Sequence, residues 1–306
     1  SMGSKKTATQ RLNLAQAFNP VGLIAGLFVA QQFILKNLKS DNIMDFNALD
    51  EATKIAIKTS DLLIIRNPYV ILGIVLIGIF IVFLVSKMPQ SKDENNFPSI
   101  GDTIFALKNN TNYIFGVIAQ ILYVGAQIMC WTYIYQYAEA ISIDAVTAGY
   151  YQMIAFILFI IGRAIGTYLL KHTNPGKLLL YFAILSIVFI QGTIFITGIV
   201  GLYALVGVSF FMSIMFPTIY GIALCDLTEE QSKIGSAGLV MAIVGGALMP
   251  KLQGLIIDAG GNGVDDIKIL GVSEVNFSFT LPLICFLFIA WYGLKVFKNI
   301  LQKNNV

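Results

Sequence analysis

NYIFGVIAQILYVGAQIMCWTYIYQY, from Asn112 to Tyr137, carries no charged residue. An uncharged run of this length is long enough to cross a bilayer, even tilted. Within it Gln120, Tyr123, Gln127, Trp131 and Tyr135 recur at steps of three or four, which sets them along one side of a helix. The rest of the helix surface is mostly Ile, Val, Leu and Met, which lipid accepts. Two readings of the stripe stay open. It lines a space that holds water or a neutral, hydroxyl-rich solute. Alternatively, Gln127 hydrogen-bonds a neighbouring helix while Trp131 and Tyr135 sit in an interfacial belt.

The composition around this run agrees with a membrane setting. Of 306 residues, 57% are hydrophobic and 12% are charged, about half the charge of a soluble domain. The formal net charge of +3 therefore says nothing about nucleic acid. Cys130, Cys225 and Cys285 show no paired spacing and read as small buried side chains, not as a metal site or a disulfide framework.

Eight apolar spans are expected. The first, about Leu12 to Leu35, carries Asn13, Gln16 and Asn19 at steps of three, either as a cavity lining or as helix caps and interhelical hydrogen bonds. A polar connection from Lys36 to Pro68 includes a short amphipathic helix over Asn47 to Ser60. The span Tyr69 to Ser86 is nearly pure Ile, Leu, Val, Phe and Gly, and a polar linker, Lys87 to Thr111, separates it from the Asn112 span. Further spans cover about Ala148 to Leu170, Leu178 to Thr197, Gly201 to Cys225, Ile234 to Ile257 and Phe277 to Leu294, with a polar loop from Asp258 to Asn276. Pro217, in FFMSIMFPT, is expected to kink or break its helix.

Loops on the side of both termini carry twelve Lys and Arg against six on the other side. The positive-inside rule puts that side in the cytoplasm. Arg163, near the cytoplasmic end of its span, is costly in lipid unless paired or snorkelling, and it reads as a gating or a structural residue. No Asp or Glu lies well inside the expected spans, and the single histidine, His172, is in a turn. No phosphate-cradling loop, metal cluster or Ser/His/Asp arrangement points to an enzyme or to a cofactor.

Five stretches together carry a resemblance: RLNLAQAFNPVG (Arg11 to Gly22), YVGAQIMCWTYIYQYA (Tyr123 to Ala138), IGRAIGTYLL (Ile161 to Leu170), FFMSIMFPTIYGIAL (Phe210 to Leu224) and GSAGLVMAIVGGALMP (Gly235 to Pro250). In this order they resemble the fucose–proton symporter family of the major facilitator superfamily, which also includes glucose/galactose permeases. The resemblance implies an all-α polytopic membrane protein with the major facilitator fold, N-terminally incomplete, with about eight transmembrane helices. It is similar to spans five to twelve of a twelve-span protein. Residues 1–86 would be the last two helices of the N-terminal bundle, 87–111 a cytoplasmic linker and 112–306 a complete six-helix C-terminal bundle.

It further implies secondary transport of a neutral hexose or deoxyhexose with protons, in a bacterial inner membrane, by a protein that is monomeric when intact. The implied cavity positions are Asn13, Gln16, Asn19, Tyr123, Gln127 and Trp131, with Arg163 and Pro217 near the gate. Amides can donate and accept at once, and an aromatic ring can cover the apolar face of a sugar. The family's proton-coupling acids lie in spans without counterpart here, so the resemblance implies that this chain alone is inactive. The alternatives are a degenerate carrier acting as a sensor or scaffold, and an exporter of amphipathic drugs.

Overall fold

The computed structural model describes residues 10, 12, 14, 16, 19–38, 49–86, 100–261, 263–264 and 267–304. The chain divides into two compact units, residues 21–96, and residues 1–20 together with 97–306. Among the described residues, seven helical segments are long and apolar enough to cross a membrane, and Gly22–Ile34 is a shorter apolar helix. The all-α fold with about eight crossings is thus as expected; the described residues also include a hairpin of two two-residue strands.

Helix α1 (Asn19–Val29), in the smaller unit from residue 21 on, runs into a π turn, Ala30–Ile34, and a 3-10 turn, Leu35–Asn37. Helix α2 is continuous from Glu51 to Val85. The separate amphipathic helix and span expected from the sequence are therefore one element. Asp50 caps its start by accepting from the Thr53 N–H, and no glycine falls between Glu51 and Leu72 to weaken the join. Pro68 removes one donor without ending the helix. At about 1.5 Å per residue, its 35 residues exceed a hydrocarbon core of about 30 Å, so part of the helix extends beyond it. Asp61, assigned from the sequence to a connection, is buried in this helix.

The larger unit is a helical bundle. A short helix, α3 (Ile100–Asn109), lies inside the expected linker. Asn110 alone separates it from α4 (Thr111–Thr132), whose run continues after a break at Tyr133 as α5 (Ile134–Ala140). Then come α6 (Ala145–Leu169) and α7 (Pro175–Phe195). Gly198, at φ +79°, makes the tight turn into α8 (Ile199–Met212). Next are α9 (Met215–Leu224), α10 (Glu229–Met241) and α11 (Gly245–Ile257). The hairpin of β1 (Lys268–Ile269) and β2 (Val272–Ser273), α12 (Glu274–Ser278) and α13 (Thr280–Asn304) complete it.

Helix α4 packs against α9, α11 and α13, while α7 and α8 pack against each other and onto α13 and α6 respectively. Between membrane helices lipid supplies no hydrophobic drive, so small residues and polar contacts decide which faces meet. Gly116 lies against Ala223 and Tyr292, and Gly125 against Met249. Ala119, Tyr123, Ala126 and Met129 are wholly buried along the same helix. Cys130 and Cys285 are buried as expected, but Cys225 is exposed, because it caps the end of α9 at the turn into α10.

Candidate functional site

The site is built around a missing donor. Pro217 has no N–H, so the carbonyl four residues earlier, Ser213, has no intrahelical partner. The helix breaks there: α8 ends at Met212 and α9 starts at Met215. Side chains from two other helices take up the released carbonyls. Tyr123 of α4 donates its hydroxyl to the Met212 carbonyl at 3.0 Å. Arg163 of α6 donates Nε–H to the Ser213 carbonyl at 2.8 Å.

Arg163 reaches this point because α6 is smooth here. Gly162 lies against the Phe210 backbone and Gly166 against Ile214. The arginine is 4% exposed. Its Nη1 donates to the Gln16 carbonyl at 2.7 Å, and its guanidinium carbon stands 4.7 Å from the Phe159 ring centroid. A buried cation is tolerable when dipoles and π-faces replace water, and here two carbonyls and one ring do so.

The stripe of α4 divides by hydrogen bonding. Trp131 donates its indole N–H to Ser209 Oγ at 3.2 Å and meets Phe156 and Phe159 edge-on, with centroids 4.9 and 5.1 Å away. Tyr123 and Trp131 thus have their polar atoms committed within the bundle. Gln127, one turn from each, is half-buried, and among the described residues its amide makes no hydrogen bond. Gln120 is wholly buried, and among the described residues neither amide atom has a hydrogen-bond partner. Tyr135 is half-buried. Asn13 lies outside the described residues. Asn19 starts α1, and its side chain is not among those described; Gln16 contributes the carbonyl already named.

A second polar cluster, missed in the sequence, closes the Tyr137 end of the bundle. Asn276 donates to the Thr193 carbonyl at 2.9 Å, and Tyr137 to the Ile196 carbonyl at 3.1 Å. Gln253 donates to Ser278 Oγ at 2.9 Å, and the wholly buried Glu274 accepts from the Gly260 N–H at 3.1 Å. Residues 258–276 read as a polar loop. The available signal was Ser273, an N-cap three residues before Asn276, just ahead of an apolar run.

Against known proteins, residues 4–250 match the family model described as Major Facilitator Superfamily. The L-fucose-proton symporter of Haemophilus influenzae is 49% identical over 305 residues, covering 97% of this chain and 69% of that protein. That of Escherichia coli is 32% identical over 270 residues, covering 85% of this chain and 61% of the relative. A putative glucose/galactose transporter of Helicobacter pylori is 29% identical over 300 residues, covering 97% and 68%. In solved structures, a Major Facilitator Superfamily transporter in the outward conformation superposes with a TM-score of 0.76 at 29% identity, covering 96% of this chain and 69% of that one.

Proposed function

The chain belongs to the Major Facilitator Superfamily, in the branch of fucose–proton symporters and glucose/galactose transporters, and from that premise we propose that it serves proton-coupled uptake of a neutral hexose or deoxyhexose across a bacterial inner membrane. The chain spans 61% to 69% of the length of the relatives named above, so the proposal concerns the transporter carrying these residues. Residues 1–86 would be the end of one bundle, 87–111 a linker and 112–306 the second bundle. The distribution of Lys and Arg supports placing both termini in the cytoplasm.

The observation that carries the substrate class is Gln127. Among the described residues its amide stays open, between two aromatic residues whose own polar atoms are engaged. A neutral polyol is recognised by groups that donate and accept without charge, with rings over its apolar face. Gln127 is the central contact, Tyr123 and Trp131 shape the wall, and Asn13, Gln16 and Asn19 supply the remaining polar groups. Alternating access comes from the bundles rocking about the site. Arg163 and the Pro217 break are the gate: the bond from Arg163 to the Gln16 carbonyl holds one arrangement and must open for the other.

The test is uptake of labelled L-fucose, D-galactose and D-glucose into proteoliposomes under an inward proton gradient, using the reading frame that contains this chain. Saturable, gradient-dependent uptake of one of them is expected. Gln127→Ala should lower it about five- to tenfold, since a lost hydrogen bond to a buried hydroxyl is worth about 1–1.5 kcal/mol. Gradient-independent or absent uptake of all three would sink the proposal, and full activity of Gln127→Ala would remove its site.

A further inference from the structure

Helix α3 is amphipathic in an unusual sense, because it has two apolar faces. Thr103 and Leu107, one turn apart, are 5% and 4% exposed. Leu107 joins a cluster with Tyr113, Ala223, Leu227 and Leu239, at the ends of α4, α9 and α10. This docks α3 on the Asn112 end of the bundle. On its outer side Phe105 is 68% and Ile104 42% exposed. At about 100° per residue, the exposed Lys108 falls between them on the same arc. Asp102 and Asn109, also exposed, lie beyond Phe105 on the remaining side.

The outer arc stands where a bilayer boundary must be. A single residue, Asn110, separates α3 from the membrane-crossing α4. The same end of the bundle carries ammonium groups over rings. Lys295 Nζ is 4.0 Å from the Phe115 centroid and 5.5 Å from that of Trp291, and Lys177 Nζ is 5.8 Å from Tyr181 and 5.9 Å from Phe297. Aromatic rings below Lys tips belong at headgroup level, where the ring meets the acyl boundary and the ammonium meets phosphate. The acidic residues Glu229 and Glu230 start α10, a different helix from those that carry Lys177 and Lys295.

We propose that α3 is an interfacial anchor: Ile104 and Phe105 enter the boundary between headgroups and acyl chains, and Lys108, with Lys177 and Lys295, binds anionic phospholipid headgroups. The helix then fastens the segment between the two bundles to the membrane while Leu107 holds it to the α9–α10 turn. A partly inserted Phe with adjacent lysines is the combination that favours binding in the plane of an anionic interface. The inference rests on the membrane-transporter reading, but its test needs no transport.

Spin labels would be placed at Phe105→Cys and, as a control, at Asp102→Cys, each with Cys225→Ser. The protein would be held in nanodiscs of phosphatidylcholine alone or with phosphatidylglycerol. The expected result is that the label at 105 collides more with oxygen than with a water-soluble nickel complex, with the order reversed at 102. Adding phosphatidylglycerol should deepen the label at 105, and Lys108→Gln should weaken that shift. A water-like label at 105 in both lipids would overturn the anchor. A lipid-like label indifferent to phosphatidylglycerol would overturn the anionic headgroup site. Either result leaves the uptake experiment free to succeed or fail by itself.

Discussion

Helices α2 and α4 are both apolar enough to cross a membrane, and they have opposite fates. Over its most apolar window, 56% of α4 is buried against other helices and none of α2 is. Both contain glycines. An added Cβ at Gly116 of α4 would meet Ala223 Cβ at 2.5 Å, while Gly73 and Gly78 of α2 have nothing within 4 Å among the described residues of their own unit. Apolarity marks a crossing, whereas small residues beside polar ones mark the face that other helices use.

The sharpest way to break this comparison is at the helix break that Tyr123 of α4 and Arg163 of α6 both hold. Arg163→Ala leaves the carbonyl released by Pro217 without its donor, and we expect a loss of about 3 kcal/mol, the value of a charged hydrogen bond inside a protein, read as thermal unfolding in detergent. Pro217→Ala returns an N–H to the Ser213 carbonyl, so the double variant should recover part of that loss. Strictly additive effects would show that the break and the arginine are unconnected.

Glycine substitutions come next, and here the two helices should respond with opposite signs. Gly116→Ala forces α4 from Ala223 and should cost about 1–3 kcal/mol. Gly73→Ala meets nothing among the described residues of its own unit and should stabilise by about 0.5–1 kcal/mol through helix propensity alone. Equal responses in unfolding experiments would mean that α2 is packed as α4 is.

The smallest effect concerns helix starts. Asp50 caps α2, and Asp144 caps α6 in the same way. Each carboxyl is held below its ordinary value, first by the hydroxyl and then by the backbone N–H of Thr53 or Thr147. A lowered carboxyl contributes stability above its unfolded value of about 3.9 and loses it as pH falls through the folded value. Protection factors, the intrinsic amide exchange rates divided by the observed rates at each pH, should therefore fall in the first turns of α2 and α6 below about pH 4, and not at pH 6. Protection that is flat down to about pH 3 would remove the caps from the account.

Much of this was legible in residue order because the bilayer restricts what a chain can do. Backbone groups in lipid must be satisfied within a helix, so uncharged runs predict crossings, and Pro217 predicts an interruption. The structure puts that interruption at Ser213 and Ile214, upstream of the proline, since the bond lost is the one to the residue four before. Side-chain partners were less legible. A backbone carbonyl has no sequence signature, so Arg163 could be read as buried but not as bound to Ser213 and Gln16. The join of α2 across Pro68 was missed because proline weakens a helix without always ending it, and Glu274 was missed because charge suggested a solvated loop.

Sequence alone determined that this protein crosses a membrane about eight times, that one span bears a neutral polar stripe, and which family it resembles, because hydropathy, periodicity and long motifs are local properties of the chain. Only the tertiary structure decided which stripe residues are engaged: among the described residues Tyr123 and Trp131 are, and Gln127 is not. That outcome depends on helices far apart in the chain, whose glycines and released carbonyls set how closely each face is approached.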